Sequence, residues 1–293
     1  MRPRPWGDGS LALIFKYRKR IMTETTRNPL PASHINRLIT AVCLLSVVAA
    51  ALIWPDPLLF PLILAVSLAA QWEFYGLAWK GPSRLALKLT GLVLGAGMIL
   101  VMAQDRHLGA LTLCLISLWV ENVRFLAAFG TGQKTGQSAR MTAGLLYVPA
   151  ALGLLFSMSV TEIVLVLLVV IAADAGAYYA GTLFGKTAFW AKISPHKTWE
   201  GFCGGLAATV AAVMIYGKMF GVASKGGFFA LGLWLFFAAL TGDFVESALK
   251  RHHGVKDAGA ILPGHGGMLD RIDSLLAVVP AYALIKYSYP MFG

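Results

Sequence analysis

VTEIVLVLLVVIAADAGAYYAG, running from Val160 to Gly181, decides the fold. It is long enough to cross a bilayer, which takes roughly 17–25 apolar residues, and its only charges are Glu162 and Asp174. Eight further runs of this kind surround it, at about 38–54, 57–79, 85–103, 108–126, 141–157, 201–217, 227–249 and 274–290. Trp54-Pro55-Asp56-Pro57 separates the first two, because neither proline suits a helix interior. The expected fold is therefore an all-α polytopic membrane protein of about nine transmembrane helices.

Composition agrees. Of 293 residues, 57% are hydrophobic and 13% charged, where a soluble domain carries about 25% charged residues. Mean hydropathy is +0.68. Disordered chains, disulfide scaffolds and cytosolic enzymes are excluded by these values. Cys43, Cys114 and Cys203 lie in apolar stretches without a second ligand at zinc spacing, and read as small hydrophobes.

Charge placement orients the chain. The sequence holds 25 Lys and Arg against 14 Asp and Glu, a net charge of +11. With a cytoplasmic N-terminus, only Arg106, Lys218, Lys225 and Lys286 fall on the far side, as the positive-inside rule requires. Residues 1–37 read as a basic, mobile cytoplasmic tail able to touch anionic lipid. Residues 38–158 read as scaffold helices and 159–293 as the working half, because polar clusters beside glycine recur only from about 170 onward.

Four clusters carry chemistry. Asp243, Glu246, Ser247 and Lys250 recur at i, i+3, i+4 and i+7, so they share one helix face. They form either a cation-and-phosphate surface or a salt-bridge stripe. Downstream, Lys256-Asp257 leads into Pro263-Gly264-His265-Gly266-Gly267, then Asp270-Arg271-Ile272-Asp273. A glycine turn exposes N–H groups to an anion, and a following helix adds its positive dipole end. Asp270 and Asp273 in that first turn can hold a hard cation, and Arg271 can fork onto phosphate. Asp174 is one acid in an apolar span, and a buried carboxylate needs a partner. Ser194-Pro195-His196-Lys197-Thr198-Trp199-Glu200-Gly201 offers hydroxyls, an imidazole and an ammonium just before a span, either for phosphate capture or as a plain interfacial loop. Glu73 and Glu121 lack clustered partners and read as structural acids.

Carboxylates for cations, a glycine nest and basic hooks on one face describe phosphoryl or nucleotidyl transfer. No G-x-x-x-x-G-K-[ST] loop and no G-x-S-x-G occur, so P-loop hydrolysis and serine acyl transfer are unsupported.

The pattern Ser247-x2-Lys250-Arg251-x4-Lys256-Asp257-x5-Pro263-Gly264-His265-Gly266-Gly267-x2-Asp270-Arg271-x-Asp273 resembles the signature of phosphatidate cytidylyltransferases, the CDP-diacylglycerol synthases. Asp174 with Gly176-Ala177-Tyr178, Phe184-Gly185-Lys186, and Ser194-Pro195-x-Lys197-Thr198-x-Glu200-Gly201 resemble that family's upstream motifs. The resemblance implies CTP plus phosphatidate giving CDP-diacylglycerol plus pyrophosphate, with Mg²⁺ and a second cation such as K⁺. It implies magnesium on Asp243 and Asp270, with Asp174 third and Glu246 or Asp273 in support. Lys197, Lys250, Lys256 and Arg271 would meet phosphates, and His265 with its glycines would cradle one. Ser194, Thr198, Glu200 and Ser247 complete the expected substrate contacts. A homodimer in a bacterial inner membrane with the site on the cytoplasmic face is expected, and nucleic acid is not an expected partner. A paralogue acting on another lipid phosphate is the nearest alternative. A cation-coupled transporter is the rival of another class, and its acids should line the membrane midplane.

Overall fold

A computed structural model describes residues 32–79, 85–127, 138–190, 193–262, 264 and 266–293. The expected tail lies outside the described residues up to 31. From Ala32 the chain is already helical, so the tail's last six residues open the first helix. Pro263 and His265 also lie outside the described residues, as does the side chain of Glu121.

Each of the nine apolar runs falls on helix. The elements are α1 Ala32–Ile53, α2 Pro55–Ala78, α3 Leu85–Met102, α4 His107–Ala127, α5 Ser138–Leu145, α6 Val160–Phe184, α7 Trp199–Phe220, α8 Lys225–His252 and α9 Leu269–Ser288. Behind α5 the chain continues through a π turn at Leu146–Ala150, one α turn at Ala151–Gly153 and a 3-10 turn at Leu154–Ser157. Pro149 explains the widened turn, since it has no N–H for the regular helical bond.

Six segments are long and apolar enough to cross a membrane: Pro55–Ala78, Leu85–Met102, Arg140–Ser157, Val160–Phe184, Trp199–Phe220 and Lys225–His252. Ile39–Ile53 and Leu108–Val120 are shorter apolar stretches. α9 is more polar, because Arg271, Asp273 and Lys286 fall in every membrane-length window along it.

One departure from the all-α expectation appears. Ser194–Thr198 is a strand, β2, antiparallel to β1 at Ala188–Trp190, with Ala188 opposite Thr198 and Trp190 opposite Ser194. The hairpin is held by aromatic packing. Phe189 stacks on Phe202 at 5.3 Å and meets Trp199 edge-on at 4.4 Å.

Helices α6 and α7 pack closest. A Cβ on Gly204 would meet the Gly176 carbonyl at 2.7 Å and collide with Ala180, so only glycine lets the backbones touch there. The main core runs through Ile63, Leu77, Leu152, Leu165, Val213, Leu235 and Leu276, all buried, and so draws on helices from both halves of the chain. At one end of the bundle a polar lock closes it. Glu162 completes a capping box with Ser159 at the start of α6. It also takes Lys286 at 2.6 Å and the Tyr282 hydroxyl at 2.8 Å. Most of the clusters picked out in the sequence lie toward the opposite end, where α6, α8 and α2 finish and α7 and α9 begin; Asp174 stands nearer the middle of α6.

Candidate active site

The last turns of α8 set the frame. Helical spacing turns Asp243, Glu246, Ser247 and Lys250 to one side, as their sequence positions predict. Ser247 Oγ donates to Asp243 Oδ1 at 3.4 Å, and Lys250 Nζ lies 2.5 Å from Glu246 Oε2. Glu246 is fully buried.

β2 brings Lys197 against the other oxygen of Asp243, with its ammonium 4.2 Å from the centre of the Phe244 ring. A cation held between a carboxylate and an aromatic face is stabilised by both. Thr198, the next residue, caps α7 by accepting from the Gly201 amide at 3.1 Å. Glu200 stands in the first turn of α7, where a carboxylate suits the positive end of the helix dipole.

Helix α9 supplies the second group. Lys250 Nζ reaches Asp270 Oδ1 at 2.7 Å, so one lysine joins Glu246 to Asp270. Asp270 Oδ2 also accepts the Ala258 and Gly267 amides, both at 3.0 Å. The carboxylate is therefore pinned by its own loop. That loop is tight: the Leu262 amide donates to the Gly266 carbonyl at 3.0 Å, and Gly264 and Gly266 hold φ of +75° and +82°. Such angles favour glycine. Asp273 is held by the Ser274 amide at 2.6 Å and lies within electrostatic reach of Asp243 and Asp174. Arg271 is exposed on the same first turn, within electrostatic reach of Asp174. Lys256 and Asp257 are exposed on the segment approaching Ala258.

Asp174 and Asp243 face a common cavity of about 310 Å³ with two kinds of wall. His196, Lys197, Thr198 and the two acids line its polar side. Phe189, Phe202, Phe236, Ala239 and Leu240 line the other. Ser194, at the start of β2, is partly buried and lies outside that lining. A charged group with an apolar body fits such a space.

Whether the acids suit a divalent cation can be judged from their chemistry. Among the described residues, no three Asp, Glu, His or Cys side chains are gathered closely enough to hold a metal ion. Carboxylate oxygens are nonetheless the right donors for magnesium, which usually takes one or two carboxylates and fills its remaining positions with substrate phosphates and water. Asp174, Asp243 and Asp273 form one group of carboxylates and Glu246 with Asp270 another, so the expected magnesium carboxylates, Asp243 and Asp270, are divided between the two. Lys197 and Lys250 balance these carboxylates in the structure.

Two neighbours of these clusters escaped the sequence reading. Glu73 on α2, read there as a structural acid without a glycine loop, is buried against the very loop that carries Asp270, and its Oε2 accepts the Leu269 amide at 2.8 Å. Its one sequence signal was a lone acid in an apolar run. Tyr147, in the π turn, packs on Phe74 at 5.5 Å and lies within electrostatic reach of Asp273 and Glu246. Its buried hydroxyl has no hydrogen-bond partner among the described residues. Nothing in its local sequence distinguishes it.

Comparison with known proteins gives one consistent result. The profile of the cytidylyltransferase family matches residues 35–289. A phosphatidate cytidylyltransferase of Pseudomonas aeruginosa is 34% identical over 265 residues, covering 86% of this chain and 96% of that protein. One from Haemophilus influenzae is 41% identical over 127 residues, 42% of this chain and 44% of that protein. One from Bacillus subtilis is 46% identical over 114 residues, 38% of this chain and 42% of that protein.

Proposed function

The chain belongs to the cytidylyltransferase family, and from that premise we propose that it is the membrane nucleotidyltransferase that converts CTP and phosphatidate to CDP-diacylglycerol and pyrophosphate. The observation that carries this reading is the union of an acid-and-lysine cluster with a half-apolar cavity at one end of an apolar helix bundle. A nucleotide triphosphate needs the first feature and a lipid phosphate needs both.

The chemistry asks little of a general base. A phosphatidate oxygen, already anionic near neutral pH, attacks the α-phosphorus of CTP. A new P–O bond forms, the bond to the β-phosphate bridge breaks, and pyrophosphate leaves with that electron pair. Charge neutralisation and alignment are the main demands. Asp243 and Asp270 would hold Mg²⁺, with Asp174 third and Glu246 or Asp273 in support; the ion, when bound, neutralises phosphate charge. A second cation such as K⁺ belongs to the same reading. Lys197 and Lys250 would exchange a carboxylate for phosphate oxygens as substrates bind. Arg271 and Lys256, exposed at the rim, would receive the outer phosphates, and the Gly264–Gly267 turn with His265 would cradle one. The aromatic wall gives an acyl chain an apolar surface beside the polar head.

The protein is an integral membrane protein by the six apolar helices and its bacterial relatives. We read nine spans, a cytoplasmic N-terminus and an inner-membrane site on the cytoplasmic face, supported by the lopsided placement of basic residues. The homodimer rests on the family resemblance. The acids stand beside lysines and a glycine turn, with Asp270 and Asp273 at the start of α9 and Glu246 near the end of α8, which favours transfer chemistry over transport.

Purified protein in detergent, given CTP, phosphatidate and Mg²⁺, is expected to form CDP-lipid and pyrophosphate in equal amounts. CTP consumption only with a different lipid phosphate would keep the chemistry and move the acceptor. Failure with every lipid phosphate, by a folded protein, would overturn the enzyme reading.

A further inference from the structure

We infer that Glu73, on the second helix and remote in sequence from every motif of the site, is a positioning residue that clamps the Asp270 loop in its working geometry. The inference rests on the proposed cytidylyl transfer only for its activity readout.

The geometry is specific. Glu73 is 3% exposed, and its Oε2 accepts the Leu269 amide at 2.8 Å. Leu269 is the first residue of α9, so Glu73 satisfies one of the amides that a helix start leaves without an internal partner. Met268, at the cap position, provides no side-chain hydrogen bond of its own. A carboxylate from another helix thus does a cap's work. A carboxylate there is also favoured by the helix dipole.

Two glycines accommodate the clamp. A Cβ at Gly259 would fall 2.7 Å from Glu73 Cγ and closer still to its carboxylate. A Cβ at Gly267 would fall 2.6 Å from Glu73 Oε2 and 2.8 Å from Asp270 Oδ2. Gly267 therefore stands between two carboxylates, and its amide donates to Asp270. Ala258, beside Gly259, donates to Asp270 as well. The loop passes from Asp270's donors to Glu73's neighbours within one residue on one side, Ala258 to Gly259, and within two on the other, Gly267 to Leu269. Moving Glu73 must move the amides that fix Asp270.

Burial of an acid inside an apolar bundle is costly, so a purely packing role would be better filled by leucine or glutamine. What Glu73 adds is a charged acceptor aimed at the start of α9. An error of about 1 Å in a catalytic carboxylate can cost on the order of a hundredfold in rate.

The test uses the full chain in detergent. In Glu73→Ala, kcat per folded molecule should fall by about a hundredfold while KM for CTP changes little, because alignment is lost and not the bulk of binding. Glu73→Gln keeps an acceptor of the same length but loses the charge, and should recover part of kcat; Glu73→Asp is one methylene short and should recover less. Gly259→Ala, which presses on the clamp from the other side, should reproduce the kcat loss. Hydrogen exchange supplies a readout independent of activity: the amides of Ala258, Gly267 and Leu269 should exchange about tenfold faster in Glu73→Ala, with α7 unchanged. If wild type makes no CDP-lipid, the functional reading fails while the exchange result still reports on the clamp. Near wild-type kcat per folded molecule in Glu73→Ala, or unaltered exchange in that loop, would overturn the inference. Should Glu73→Ala not fold, equal kcat in the Gln and Asp variants would do the same.

Discussion

Lys197 stands where three features meet: the Asp243 carboxylate, the Phe244 ring and the mouth of the cavity. In the proposed reaction, this ammonium would exchange its carboxylate partner for phosphate. Lys197→Met removes that hook and leaves Asp243 with only the Ser247 hydroxyl among its described partners. A hydrogen bond to a charged group contributes roughly 1.5–3 kcal/mol, so kcat/KM for CTP should fall by about thirtyfold. Steady-state kinetics at saturating lipid check this, and an unchanged kcat/KM would remove Lys197 from the nucleotide site. The residues of α8 were legible in the sequence because helical spacing is local: Asp243, Glu246, Ser247 and Lys250 declare their shared face by number alone. Glu73 was not legible. Its partners begin nearly two hundred residues downstream, and neither periodicity nor motif spacing carries information across that distance.

Elements hold these residues in register through backbone approach. The α6–α7 contact at Gly204 and Gly176 sets how far Asp174 stands from Lys197 and Thr198 across the cavity. Gly204→Val would drive a branched side chain into Ala180 and the Gly176 carbonyl. Overpacking of that kind costs about 1–3 kcal/mol, and here it also parts the two cavity walls. The variant should lose thermal stability and activity together, read by a melting curve and by CDP-lipid formation on the same preparation. A stable, fully active variant would show that the cavity does not depend on this contact. The hairpin was the element that sequence did not yield. Ser194-Pro195-His196-Lys197-Thr198 has no apolar alternation and contains a proline, both of which argue against a strand. Its strand geometry comes from packing, as Phe189 lies on Phe202 and Trp199. Helix positions, by contrast, were readable to within about three residues at most ends and six at the start of α1, because in a chain this apolar the breaks are the signal.

The whole molecule divides its labour between its two ends. The Glu162, Lys286 and Tyr282 lock ties α6 to α9 far from the acid cluster, and every group in it has a partner. Glu162 is buried and Lys286 one-third exposed, so removing the ammonium leaves a carboxylate still held by Tyr282 and Ser159, at a cost on the order of 1–2 kcal/mol. Lys286→Met should therefore lower the melting temperature while kcat of the folded fraction stays at the wild-type value. A kcat loss without a stability loss would mean that the far end takes part in the reaction. That these acids and lysines pair with one another was foreshadowed by the clustering of basic residues beside acids and glycines. The crossing from the early helices into the site was not, because it depends on how α2 packs against α9.

The most direct measurement is CDP-lipid formation by wild type and Asp243→Asn, purified side by side with CTP, phosphatidate and Mg²⁺. The substitution keeps the shape of a side chain held between Lys197 and Ser247 and removes only its charge. Product from wild type, and a loss of at least about a hundredfold in an equally folded Asp243→Asn, is the predicted result. Equal product from both proteins would contradict a catalytic centre built on this carboxylate.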